Sequence, residues 1–296
     1  MNALTLKKDI KERREHINMV MDRYLPRKDD YPKEIHKAIR HTLFAGGKRL
    51  RPYITILTYQ LYRKKITDDL VRAAAGIELL HTYTLIHDDL PEIDNDEFRR
   101  GKKTCHVAFG SDVALLAGDA LLIEAFNFVN NVNIKTEIKV KMLHDMAVLS
   151  GDKGLIAGQM QDILSSNMEV TQKTLEFIHL NKTAKLIQLS SRFGAYMAEV
   201  PPCEMEKVDE FSKYLGLAFQ ITDDILDVEG SSKDMGKTIG KDESAKKATY
   251  PSILGLEKSK QIAEEYTSAA LEILDSYGER ALLFKELAHE LLLRKS

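Results

Sequence analysis

The sequence predicts an all-α fold, and three features carry that expectation. Apolar residues recur three and four apart through long stretches such as DLVRAAAGIELLHTYTLIH and FSKYLGLAFQITDDILDV, the spacing of one helix face. Only 7 prolines interrupt the 296 residues, so few positions forbid a helix. A hydrophobic content of 44% is enough for a substantial core. Length alone favours about two domains. No Ser/Gly/Pro linker separates the helical runs, however, which predicts one domain over residues 1–296.

Taken from the N-terminus, MNALTLKKDIKERREH is charged from its seventh residue, unlike an ordinary secretory signal. No stretch of about 20 apolar residues could span a bilayer, so a cytoplasmic protein without a membrane span is expected. Cys105 and Cys203 lie far apart with no CxxC or nearby histidine pair, which argues against a disulfide framework or a thiolate zinc site and predicts buried, reduced thiols. The net charge of −2 conceals strong local segregation. The basic groups are interrupted by carboxylates and lack stacking aromatics, so nucleic-acid binding is not expected.

In GGKRLRP, Gly46 and Gly47 allow close backbone approach, while Lys48, Arg49 and Arg51 supply a charge density suited to a diphosphate. The next helical run, Leu70 to His87, aligns Ala73, Ile77, His81, Thr84 and Asp88 on one stripe. Asp89 follows, Pro91 disrupts the helix, and Asp94 completes the pattern Asp-Asp-x4-Asp. Six acidic side chains fall between Asp88 and Glu97, and Arg99 and Arg100 close the stretch. Those arginines could equally form a self-neutralising surface network. Lys182 and Thr183 sit in a helix-like run beginning near Thr174.

A second acidic cluster, QITDDILD, spaces Asp223, Asp224 and Asp227 to share one helical face. Two carboxylates ~4 Å apart repel by ~4 kcal/mol at an effective dielectric near 20. A cation between them would relieve that repulsion. One acidic run could be a solvated helix end, but two such runs below apolar stripes are harder to account for that way. A calcium loop does not fit DNDEFRRG, which lacks the required glycine. Oxygen-only ligands favour Mg²⁺ held jointly with substrate phosphates. The segment from Glu229 to Pro251 carries five lysines and three glycines and reads as a mobile loop, from which Lys237 or Lys241 could close over a phosphate.

These stretches together, GGKRLRP, HDDLPEIDND followed by RRG, AGDALL, GQMQD, NKT, FQITDDILD and the GK…GKD…TYP tail, resemble in their order the trans (all-E) short-chain prenyl diphosphate synthases, particularly bacterial farnesyl diphosphate synthases. The resemblance implies a helical bundle around a central cavity, a homodimer, and three Mg²⁺ ions held by Asp88, Asp89 and Asp94 opposite Asp223, Asp224 and Asp227. It implies that Arg99, Lys182 and Lys237 bind an allylic diphosphate. Gly47, Lys48, Arg51, His81 and Arg100 match an isopentenyl diphosphate site, while Thr183, Phe219 and Gln220 match residues lining the reaction centre. Lys103, Ala184 and Thr238 depart from the family pattern, which leaves loop geometry open.

The implied reaction is ionisation of an allylic diphosphate, attack by the isopentenyl double bond in a closed apolar cavity, and proton loss to the released diphosphate. No serine, cysteine or histidine nucleophile is required. The fifth residue before the first motif, which often sets product length in the family, is Tyr83, followed by Thr84. A fifteen-carbon product is expected, with the twenty-carbon product of geranylgeranyl diphosphate synthases as the alternative. A terpene cyclase would be expected to replace the second motif and would not need GGKRLRP. A non-catalytic helical partner subunit would be expected to lose an acidic motif.

Overall fold

The computed structural model describes residues 3–166, 168–230 and 249–292. Its helices are α1 (Ala3–Tyr24), α2 (Lys33–Leu43), α3 (Leu50–Gln60), α4 (Asp68–Asp88), α5 (Cys105–Phe109), α6 (Ser111–Asn130), α7 (Thr136–Ser150) and α8 (Leu155–Ser165). They continue with α9 (Gln172–Ile178), α10 (Lys185–Ala198), α11 (Pro202–Gly230), α12 (Tyr250–Leu254), α13 (Leu256–Asp275) and α14 (Leu282–Leu292). The all-α expectation holds, with one addition. FRRGKK forms a small antiparallel hairpin, β1 (Phe98–Arg99) and β2 (Lys102–Lys103). Its turn residues Arg100 and Gly101 both have positive φ, the conformation that best matches the twist of a two-residue hairpin loop.

α4 is the central helix. Its N-terminus is capped by Thr67, whose side chain accepts from Leu70 N, and Asp68 and Asp69 in the first turn favour the positive end of the helix dipole. Ala73, Ile77, Leu80, Thr84 and Ile86 are all buried, because α1, α3, α6 and α10 pack around it. A helix apolar nearly all round is stable only when enclosed in this way. It ends at Asp88, just before Pro91, as the sequence predicts.

Two large core clusters share helices. α3 and α10 put Ile56, Leu189 and Phe193 into the cluster around α4, and Tyr53, Ile54 and Ile187 into the one against α11, α13 and α14. In the second, Phe211 meets Phe284 edge-on at 5.3 Å, a geometry worth about 1 kcal/mol beyond the buried area. α11 is thereby fixed over its apolar face, and its other face is free to carry the second acidic cluster.

Two expectations change. Cys105 is buried, but Cys203 is exposed, since it lies in the first turn of α11 beside Pro202. Helix α11 runs on to Gly230, and Thr249 caps α12 through a reciprocal bond with Ser252, so both ends of the 229–251 segment are helical. Lys237, Thr238 and Lys241 lie outside the described residues.

Candidate active site

The first cluster forms where α4 stops. The backbone N–H of Asp94 donates to the Asp88 carbonyl at 2.9 Å, folding the turn so that the two residues lie side by side. Burial pushes the Asp88 carboxyl up to about 6; the charges of Asp94 and Asp89 add to the rise, while Lys182 and Arg99 oppose it. Asp89 is turned inward, and Arg99 clamps it through Nε at 2.8 and 2.9 Å and Nη2 at 2.5 Å. Those bonds outweigh the burial of Arg99 and hold its pKa above the ordinary value. Arg99 is therefore engaged with a carboxylate, as in the self-neutralising alternative.

Lys182 and Thr183 lie on a π-helical turn, His179–Ala184, between α9 and α10. Such wide turns inside helices frequently mark functional sites because they redirect side chains. Here Lys182 Nζ donates to Asp162 Oδ2 at 2.5 Å, and Thr183 Oγ1 donates to Gln220 Oε1 at 2.7 Å. The turn packs closely on α11. A Cβ on Gly216 would come within 2.6 Å of the Ala184 Cβ, so the missing side chain of Gly216 accommodates Ala184 where the family often has glycine. Lys103 is accommodated in β2, where its carbonyl takes a bond from His41 Nε2 at 2.8 Å.

In the second cluster, Asp223 and Asp227 are partly exposed, whereas Asp224 is buried. Asp224 Oδ1 accepts from Gln220 Nε2 at 3.1 Å and Oδ2 from the Tyr250 N–H at 3.0 Å. His179 stands 3.4 Å from the same carboxylate, stacked on Tyr250, and its burial lowers its pKa to about 4, so it is neutral there. All three aspartates lie on the continuous helix α11, and Asp224 is the one whose carboxylate these buried partners engage. Among the described residues, no group of three or more His, Cys, Asp or Glu side chains encloses a metal site by itself.

A cavity of about 460 Å³ gathers Gly47, Lys48, Arg51, His81 and Arg100, residues from three separate stretches of chain, with Phe219 on its wall. Arg100 enters because Gly47 has no side chain. A Cβ there would lie 2.6 Å from Arg100 Nη1, which donates to the Gly46 carbonyl at 2.6 Å. Burial lowers the pKa of Arg51 to about 10 against the pull of Glu78 and Asp223, and its Nε is buried with no hydrogen-bond partner. Burial, then Arg51 and Arg100, hold the His81 pKa well below the ordinary value, leaving a neutral imidazole. The cavity thus presents fixed cations, an orphaned donor and a neutral ring, a set suited to a compact polyanion.

The cavity and the two acidic clusters act on one another electrostatically. Arg51 feels the charge of Asp223, Asp88 feels that of Lys182, and Thr183 joins Gln220 three residues before Asp223. Tyr83 is buried on α4 with its ring perpendicular to His87 at 5.7 Å, and its hydroxyl has no hydrogen-bond partner. His87 fits because Gly118, in AGDALL, leaves room; a Cβ there would fall 2.1 Å from the imidazole Nε2. Thr84 is closed off, donating to the His81 carbonyl at 2.8 Å. Sequence reasoning gave no role to Asp162, although the GQMQD stretch that contains it was among the recognised motifs.

The model of the polyprenyl synthetase family matches residues 32–280. A farnesyl diphosphate synthase of Geobacillus stearothermophilus is 39% identical, covering 91% of each chain. A chloroplastic geranylgeranyl pyrophosphate synthase of Capsicum annuum is 42% identical over 89% of this chain and 72% of its own. The crystal structure of a Helicobacter pylori geranyltransferase complexed with magnesium and isoprenyl diphosphate superposes with a TM-score of 0.84 at 30% identity, covering 99% of this chain and 98% of that one. With the family model, the sequence relatives and the fold in agreement, the chain belongs to the trans short-chain prenyl diphosphate synthases of the polyprenyl synthetase family and is a prenyltransferase.

Proposed function

We propose that this prenyltransferase condenses isopentenyl diphosphate with dimethylallyl and geranyl diphosphates to give farnesyl diphosphate. The observation that carries the reading is the convergence of Gly47, Lys48, Arg51, His81 and Arg100 on one cavity beside the acidic mouth. A cyclase would not need this second diphosphate site.

In this reading the isopentenyl diphosphate rests on Lys48, Arg51 and Arg100, with His81 as a neutral hydrogen-bonding partner. The allylic diphosphate lies between the aspartate clusters, within reach of Lys182; Lys237, outside the described residues, enters only through the family resemblance. The donor set fits Mg²⁺: Asp88 is crowded by Asp94 and Asp89, and Asp223 and Asp227 are the partly exposed members of the second cluster. When bound, Mg²⁺ supplies the positive charge that stabilises the departing diphosphate. Asp89 fixes Arg99, while Asp224, through Gln220, orients Thr183 at the reaction centre. Phe219 and the buried face of α4 exclude water from the cation.

Tyr83, buried five residues before Asp88, supports a fifteen-carbon limit. A homodimer is part of the proposal, supported by the apolar side chains Leu115, Leu116 and Ile123 exposed on α6. No helix among the described residues is long and apolar enough to cross a membrane. Incubating the protein with Mg²⁺, isopentenyl diphosphate and dimethylallyl diphosphate tests the reading. Farnesyl diphosphate should accumulate, and Tyr83→Ala should lengthen the product. Failure to consume isopentenyl diphosphate would refute the condensation, and an unchanged chain length in the variant would refute the tyrosine limit.

A further inference from the structure

We propose that Arg49 and Glu78 form a positioning pair that sets the shape of the isopentenyl diphosphate pocket without themselves serving as diphosphate ligands. The proposal rests on the reading of that pocket given above.

Arg49 sits between Lys48 and Arg51 in GGKRLRP, and by sequence all three count toward the phosphate-binding charge. The structure separates them. All three line the cavity, as does Glu78, but Lys48 is exposed and Arg51 half-buried, whereas Arg49 has a left-handed backbone, φ 54°, and a side chain only 1% exposed in the cavity's inner wall. Its three donor nitrogens are each committed. Nε donates to Asn18 Oδ1 at 2.9 Å, Nη1 to Glu78 Oε1 at 2.8 Å, and Nη2 to the Leu43 carbonyl at 2.5 Å. One guanidinium thus ties α1, the end of α2 and α4 to the residue that precedes α3.

Glu78 precedes His81 by three residues on α4, so the two lie on neighbouring turns of one face. Its carboxylate is 3% exposed, and its charge acts on both Arg51 and Arg100. A buried ion pair is weak support for stability, since apolar residues of similar volume often replace one without loss. What such a pair supplies here is direction. The Gly46–Gly47 backbone has no side chain to fix it and adopts positive φ at both residues. Arg49, two positions on, anchors the chain after that loop and, through the Leu43 carbonyl, the chain before it, and Arg100 docks on the Gly46 carbonyl between these two points. Releasing Arg49 therefore lets Lys48, Arg51 and Arg100 shift relative to His81.

The test uses the full-length protein and two variants. The double variant R49M/E78M replaces the pair with unbranched apolar side chains. R49K keeps the charge but loses the three-way fork. The KM values for isopentenyl and allylic diphosphates are measured separately, with thermal midpoint and calorimetric binding of inorganic pyrophosphate in EDTA. For the double variant, the expected result is a thermal midpoint close to wild type and a KM for isopentenyl diphosphate raised about 10–100-fold, as misplacement of binding groups by about 1 Å can cause. The allylic KM should stay within about threefold, and pyrophosphate affinity should fall in parallel with the isopentenyl effect. R49K should shift in the same direction by a smaller factor. A folded double variant with an unchanged isopentenyl KM, or both KM values rising together, overturns the proposal. Should the double variant not fold, an unchanged isopentenyl KM in R49K overturns it equally. If wild type binds pyrophosphate but transfers no prenyl group, the proposed function fails while loss of pyrophosphate affinity in the variants still decides this one.

Discussion

At the first acidic cluster, the inward-turned carboxylate, Asp89, is held by Arg99, ten residues away on the adjoining hairpin. At the second, Asp224 is held by Gln220, one turn earlier on the same helix, and by the backbone N–H of Tyr250, 26 residues further on. Each cluster thus contains one buried aspartate whose carboxylate is engaged by the protein, beside the less buried Asp88 in the first and Asp223 and Asp227 in the second. The first cluster is braced by its own neighbourhood. The second also depends on where the chain returns to start α12. The two motifs, Asp-Asp-x4-Asp and Asp-Asp-x2-Asp, are therefore braced by different lengths of chain, and in each the spacing alone does not say which carboxylate is engaged.

That division predicts unequal effects within each motif. Asp88→Ala and Asp223→Ala should each lower turnover by about 10³-fold or more, as the metal-ligand role proposed for them requires. The fold, followed by circular dichroism, should remain. Asp89→Asn and Asp224→Asn should instead lower kcat about 10–100-fold, as expected for groups that orient neighbours. Apparent Mg²⁺ affinity should change more in the first pair than in the second. Equal losses at all four positions would break the distinction. A sharper result concerns stability, since Asp224→Asn should also loosen the start of α12, seen as faster amide exchange at Tyr250.

How much of this was legible in the sequence follows from the range of each interaction. Helical spacing placed His81, Tyr83 and Asp88 correctly on α4, because the period of a helix fixes which residues share a face. The C-terminal end of α4 was readable from Pro91 for the same local reason, whereas its cap at Thr67 lies before the Leu70–His87 run that the apolar spacing marks. The inward turn of Arg49 was not readable, since a left-handed residue reverses the direction its neighbours suggest and nothing in GGKRLRP demands it. The hairpin at FRRGKK was missed because strands of two residues are too short to show alternation. The Lys182–Asp162 pair joins residues 20 apart through a π-helical turn, which shifts the register that a regular helix would give. The bracing of Asp224 by Tyr250 requires knowing how distant helices dock. Family resemblance carried the set of cavity residues further than spacing could.

The smallest expected effect isolates the electrostatic cost of the first cluster. With no cation bound, the folded protein holds the Asp88 carboxyl near pKa 6, above its ordinary value of 3.8, chiefly through burial. The folded state then binds the proton more tightly than the unfolded state. Stability from this group is greatest below about pH 4 and is lost as pH rises toward 6, beyond which the ionised carboxylate carries its full penalty, on the order of 2 kcal/mol. Asp88→Asn removes that penalty along with the activity. In EDTA at pH 8 the variant should melt a few degrees above wild type, roughly 2–6 °C for a chain of this size. The difference should narrow at pH 5, where the wild-type carboxyl is largely protonated. Saturating Mg²⁺ with a diphosphate should reverse the order, because ligand binding to the wild-type folded state then outweighs the relieved repulsion. A variant no more stable than wild type at pH 8 would show that burial of the ionised Asp88 carboxylate carries no cost in the folded protein.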